Sequence, residues 1–261
     1  MTVISVVPKP QEDKVIRLSV VDGKLCKKQD VRYNKDGSVD KRRSNKLTGV
    51  DSEVYAFTVE EIKIMIDVLN KRIENATNDN KRKIAHRNKL LFLVGINIGI
   101  RASDLRTLRF DFFLKDNGEF KEFYTFQPIK QKKQKKFVKL YFNNTVKKAI
   151  ADYIECYPVK KDDYLFASRK GDKPVTVSGL WRIIKDTAKE AGIEKNIGSH
   201  SLRKTWGRHV WENADDKNKA LVMLQECFKH SSSVVTLRYI GLIDNEKKDM
   251  YRSVELGLDF L

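Results

Sequence analysis

The chain has 261 residues, 41 % of them hydrophobic, enough to bury the core of one large or two small domains. It carries 52 Lys+Arg against 35 Asp+Glu, a formal net charge of +17, which points to a polyanionic partner and to nucleic acid first. A well-solvated basic surface would give the same balance. No apolar run approaches the roughly 20 residues that span a bilayer, and the first residues show no secretory signal. Cys26, Cys156 and Cys227 are too far apart for a disulfide framework or a zinc knuckle, and read as reduced thiols of a cytoplasmic protein.

Residues 1–55 alternate short apolar pieces such as VIRLSVV with the turn signals VDGK and NKDGSVD. Asp-Gly pairs between β-prone pieces predict one or two hairpins. The run DKRRSNK, with Arg42 and Arg43, reads as a linker that offers charge to phosphates. From Phe57 the periodicity turns helical. Thr58 and Glu61 fit a capping box, and IKIMIDVLNKRI has apolar residues at three-four spacing. NATNDN breaks that helix, and a second runs from about Lys83 through the apolar LLFLVGINIGI. RASDLRTL reopens helical spacing, with Ser103 or Asp104 near its start. Residues 110–142 read as strands, FKEFYTFQPI and KKFVKLYF flanking the lysine-dense KQKKQKK as a β-hairpin with a basic tip. Residues 145–157 form a helix, and Val175 to Gly192 another, with Ser178 as N-cap and Gly192 as stop. Helices interrupted by NIGSH and KHSSS complete the chain. The fold class is mainly α with a small antiparallel sheet.

Five residues carry candidate chemistry. His200 and Arg203, three apart in HSLRKTWGRH, share one helix face, close to a helix N-terminus that favours anions. A capping histidine and an ion-paired arginine are the plain alternative. His230 and Tyr239 fall in KHSSSVVTLRYIGL, the histidine at the mouth of a helix and the tyrosine about two turns in. A lone helical tyrosine is usually core. It becomes a nucleophile on phosphorus only beside groups that take its proton and stabilise the developing charge. Arg101 ends a buried apolar helix and needs a partner. Asp104, three residues on, either pairs with it or orients it toward a phosphate, which a planar guanidinium grips with two donors. Lys132, Lys133, Lys135 and Lys136 of the hairpin tip suit nonspecific backbone contact with DNA.

The ordered set GIRASDL, HSLRKT and KHSSSVVTLRYI, with LWRIIKDTAKEAGI before the second box, resembles the tyrosine recombinase (phage integrase) family over about residues 56–261. The resemblance implies that residues 56–261 form a catalytic domain with a C-terminal tail. Tyr239 would attack the scissile phosphate to form a 3′-phosphotyrosine. Arg101, Arg203 and His230 would hold the nonbridging oxygens, and His200 would manage the tyrosine proton. A hairpin lysine would protonate the leaving 5′-oxygen, and Lys130 is preferred because it precedes the turn. Neither metal nor nucleotide cofactor is implied. The implied partner is double-stranded DNA, with self-association into a tetramer, exchange through a Holliday junction, and room for accessory DNA-bending proteins. A prokaryotic, phage or plasmid origin in the cytoplasm fits.

The chain departs from the family pattern in three places. Gln131 falls at the usual lysine position, between Lys130 and Lys132. Lys229 stands where a glycine often precedes the last histidine, and tolerance is expected there. Residues 1–55 are too short and too β-like to match the family's helical core-binding domain. Two other functions fit the same scaffold: a type IB topoisomerase that nicks and reseals, and a DNA-binding factor without catalysis.

Overall fold

The computed structural model describes residues 4–6, 16–21, 24–27, 54–129, 137–169, 173–243 and 250–254. The chain divides into two compact units, Met1–Glu53 and Val54–Leu261. In the first, β1 (Ile4–Val6), β2 (Ile16–Val21) and β3 (Lys24–Lys27) form an antiparallel sheet in the order β1-β2-β3. Val21 lies opposite Lys24, the register that a two-residue connection at VDGK requires. The second turn signal and the run holding Arg42 and Arg43 lie outside the described residues.

The second unit is helical and is built round one central helix. α1 (Val59–Glu74) starts with the expected capping box: Thr58 Oγ1 accepts from Glu61 N at 3.2 Å and Glu61 Oε2 accepts from Thr58 N at 2.9 Å. α2 (Asp79–Ile98) begins earlier than Lys83, because Asn78 caps it by accepting from Lys81 N at 2.9 Å. Leu90, Leu91, Phe92, Val94 and Ile98 bury more than one face of α2, as expected of a helix enclosed by others. It packs against α1, α4 (Asn144–Cys156) and α6 (Ser199–Glu212).

Two stretches differ from the sequence expectation. The helix at RASDLRTL shortens to α3 (Ala102–Leu105), with Arg101 at its N-cap and with Ser103 and Asp104 near its start as expected. Leu105, Leu108, Phe110 and Phe113 are all buried and draw the chain inward, through a 3-10 turn at Phe110–Phe112 where strand was expected. Among the described residues of this stretch, strand is confined to β4 (Phe123–Phe126) and β5 (Val138–Tyr141), antiparallel with Phe126 opposite Val138. α5 (Val177–Glu190) is capped by Thr176, which accepts from Gly179 N at 3.0 Å, and not by Ser178. Val175 N still donates to Phe166 O at 2.8 Å, so the chain leaves extended pairing one residue before the cap. α7 (Lys217–Phe228) and α8 (Ser233–Tyr239) complete the described helices apart from residues 242–243 and 250–252.

The main core centres on α2 and holds Phe57, Phe92, Phe110, Phe113 and Phe166. Burying such side chains contributes about 1.5–3 kcal/mol each. A second, smaller cluster of Leu224, Phe228, Ile240 and Leu242 joins α7 to α8 beside Trp206 of α6. The candidate site lies where this cluster meets the C-terminal end of α2.

Candidate active site

Arg203 is the hub. It sits in the second turn of α6 and is only 7 % exposed, yet among the described residues no carboxylate forms an ion pair with it. Nη1 donates to Gly99 O at 2.8 Å, and Nη2 to Cys227 O at 3.3 Å. Gly99 caps the C-terminus of α2 and Cys227 lies in the last turn of α7. Helix C-termini carry partial negative charge, so two of them compensate the buried cation without neutralising it. The guanidinium also stacks over Phe228, 4.5 Å from the ring centroid. Burial draws its pKa down from the ordinary value. A guanidinium held this way keeps charge and donor capacity for an incoming anion.

Gly99 makes the first contact possible. Its φ is +70°, in the left-handed region, and a Cβ there would lie 2.2 Å from the Trp206 ring. Beyond it, Ile100 is buried and Arg101 emerges half-buried at the start of α3. Arg101 acts on the same groups as Arg203: both pull against the rise in the Tyr239 pKa, and both push His230 down.

His230 and Tyr239 approach each other across the turn from α7 into α8. Ser232 caps α8 by accepting from Val235 N at 3.3 Å, which places His230 just outside the helix mouth as expected. Tyr239 is the last residue of α8. The two rings are edge to face, 5.0 Å between centroids, and Phe228 lies 5.3 Å from His230 and 5.0 Å from Tyr239. Burial raises the phenol pKa above its ordinary value, and Arg203 and then Arg101 oppose it. Burial, Arg203 and Arg101 lower that of His230, so the ring is neutral at neutral pH. The phenol is therefore protonated at rest and needs a base.

Asp104 does not serve Arg101 as expected. Among the described residues no ion pair joins the two. Its carboxylate is 2 % exposed, and Oδ1 accepts from Ile129 N at 2.8 Å. One turn of α3 aims Asp104 inward, so it anchors the backbone just before the lysine-rich segment. Lys130, Lys132, Lys133, Lys135 and Lys136 lie outside the described residues. His200 is exposed in the first turn of α6, on the face it shares with Arg203.

Other side chains at this site went unnoticed in the sequence. Phe228 immediately precedes the KHSSS motif and underlies Arg203, His230 and Tyr239. Lys204 is 7 % exposed and its Nζ lies 5.5 Å from the Tyr239 ring centroid. Thr236 is fully buried, three residues before Tyr239 on one face of α8. That last spacing was available as a signal; the other contacts are tertiary.

The profile of the phage integrase family matches residues 57–246, well over half of the chain. This chain belongs to the phage integrase family, the tyrosine-type site-specific recombinases. A probable integrase/recombinase of Bacillus subtilis, YoeC, is 33 % identical over 173 residues, 66 % of this chain and 86 % of that protein. The tyrosine recombinase XerD of Listeria monocytogenes is 35 % identical over 95 residues, 36 % of this chain and 30 % of that protein. The solved XerA recombinase matches with a TM-score of 0.54 at 21 % identity, over 79 % of this chain and 66 % of that one. XerH recombinase bound to palindromic difH substrate matches at 0.51 and 22 %, over 78 % and 56 %. At such identities the structural likeness is one of fold. The chain thus spans under a third of XerD and little more than half of XerH.

The family's frequent glycine before the last histidine now has a physical reason. Lys229 takes φ 58° and ψ 46°, the left-handed conformation that ends α7. His230 N donates back to Gln225 O at 3.1 Å, which closes the turn and orients the imidazole. Lysine is tolerated here at the cost of about 1–2 kcal/mol of backbone strain.

Proposed function

We propose that this recombinase binds double-stranded DNA and exchanges its strands at specific sites through a covalent intermediate on Tyr239. The observation that carries this reading is the convergence of Arg203, His230 and Tyr239 on the Phe228 ring, with Arg203 and Arg101 both acting on the ionisation of His230 and of Tyr239. The Tyr239 oxygen forms a bond to phosphorus while the bond from phosphorus to the 5′-oxygen breaks. His200 takes the phenol proton. Arg101, Arg203 and His230 stabilise the charge on the nonbridging oxygens. Lys130 returns a proton to the 5′-oxygen. The resulting 3′-phosphotyrosine ester conserves the bond energy, so a 5′-hydroxyl from another strand reverses the step without ATP or metal. Repeating the exchange on the second strand pair passes through a Holliday junction, which calls for a tetramer on DNA and accommodates accessory DNA-bending proteins. XerH, seen bound to its difH substrate, supports DNA as the partner. The small basic N-terminal unit supplies further backbone contact through Arg42 and Arg43.

The test is covalent trapping. Wild-type protein and Tyr239→Phe are incubated with nicked suicide duplexes taken from DNA flanking the gene, then resolved on a denaturing gel. An adduct from the wild type alone is expected. Tight duplex binding with no adduct from either protein would overturn the catalytic reading. An adduct that needs no paired sites and merely relaxes supercoils would turn it toward a topoisomerase.

A further inference from the structure

His230 has a contact that this chemistry leaves unused. Its Nδ1 lies 3.1 Å from Oγ1 of Thr236, a residue with 0 % exposure in the middle of α8. A threonine hydroxyl has one proton. Two acceptors compete for it here: Nδ1, and the carbonyl of Ser232 at 3.3 Å. The Ser232 carbonyl already accepts the backbone N–H of Thr236, so it is satisfied without the hydroxyl. The histidine contact is the shorter, and Nδ1 has no other hydrogen-bond partner among the described residues. A hydroxyl that donates to Nδ1 requires that nitrogen to be unprotonated, and a neutral ring then carries its proton on Nε2.

We infer that Thr236 is a positioning residue that holds neutral His230 as its Nε2–H tautomer, so that the ring presents a donor to a nonbridging phosphate oxygen. The inference rests on the proposed role of His230. With the opposite tautomer the ring would turn a lone pair toward an anion and repel it. Burial and the two arginines keep the ring neutral, so it cannot donate from both nitrogens at once. A single buried hydroxyl therefore decides which end of the imidazole is useful. Tautomer control by the partner of the remote nitrogen is a general property of catalytic histidines.

Three proteins test this: wild type, Thr236→Val and Thr236→Ser. Valine keeps the shape and loses the hydroxyl, whereas serine keeps the hydroxyl and loses a methyl. Single-turnover adduct formation on a nicked duplex should fall at least about tenfold in Thr236→Val, with duplex affinity unchanged, and recover in Thr236→Ser to within about threefold. A packing role predicts the reverse order, serine worse than valine. In a His230→Ala background, Thr236→Val should have no further effect. Nitrogen-15 NMR of the His230 ring should show Nε2–H in the wild type and a loss of that preference in Thr236→Val. Equal rates for wild type and Thr236→Val, or an Nδ1–H ring in the wild type, would overturn the inference alone. Absence of any wild-type adduct would instead remove the role of His230 on which it stands.

Discussion

Two parts of the helical unit bring together the same three residue types. On α2 and α4, Arg87 is 7 % exposed and interacts with Tyr153, while His86 packs edge to face on Tyr157 at 5.4 Å. On α6 and α8, Arg203 is likewise 7 % exposed and interacts with Tyr239, beside His230. Both tyrosines are raised by burial and pulled back by their arginine. The difference is where the polar atoms go. Arg87 Nη1 donates to Ala167 O at 2.6 Å, and its Nε and Nη2 both donate to Asn88 Oδ1, so the guanidinium ties two chain segments together. His86 answers to Lys89 and Arg82, and not to Arg87. In the other cluster the same two arginines act on both the histidine and the tyrosine. Convergence on one point, more than burial or residue type, separates a candidate site from a structural cluster.

The largest expected effect would break that contrast if it failed. Arg203→Lys loses the planar fork and should slow adduct formation by about 100-fold or more, while Arg87→Lys should leave the rate within about threefold. Arg87→Lys should instead lower thermal stability, by about 1–3 kcal/mol for the buried carbonyl and amide oxygens left short of donors. Parallel melts and suicide-substrate assays of both variants decide it. Next comes Gly99→Ala. Its left-handed φ and the Trp206 ring make any Cβ costly, about 2 kcal/mol or more, and moving Gly99 O also loosens Arg203. Thermal denaturation should show the first effect and the cleavage rate the second. Lys229→Gly works in the opposite direction: relief of the left-handed strain should stabilise the fold by about 1 kcal/mol, read from urea midpoints.

The smallest effect concerns the structural cluster and appears only in alkali. Burial pushes Tyr153 up to about 12. A phenol raised on folding contributes stability that is present below its unfolded value of about 10 and lost as pH rises through the folded one. Tyr153→Phe should therefore show a smaller fall in stability between about pH 9 and about pH 11 than the wild type. An equal fall in both proteins would mean that another group governs alkaline unfolding.

Much of the helical unit was legible in the chain. The Thr58 capping box, the apolar α2, the two hairpin strands and the serine-capped entry to α8 depend on neighbours a few residues apart, and local hydrogen bonding and periodicity specify them. The stretch from Arg101 to Phe113 was misread because Leu105, Leu108, Phe110 and Phe113 answer to the core and not to a repeating period. Asp104 was misassigned for a related reason. The nearest arginine in sequence suggested an ion pair, but one turn of helix aims the carboxylate at Ile129 N.

The order and type of Arg101, His200, Arg203, His230 and Tyr239, read with their flanking motifs, already stood in the sequence, as did the basic balance that suits DNA. Those features are local or additive, so no folded neighbour is needed to see them. Only the tertiary structure decided what surrounds them. Arg203 rests on the ends of two helices, Phe228 underlies three of the groups, and the Thr236 hydroxyl reaches His230. The physical reason is range. Arg203 and Gly99 are 104 residues apart in sequence, and a hydrogen bond or a stacked ring acts only over a few ångströms, so such contacts exist only once the core has brought distant segments together.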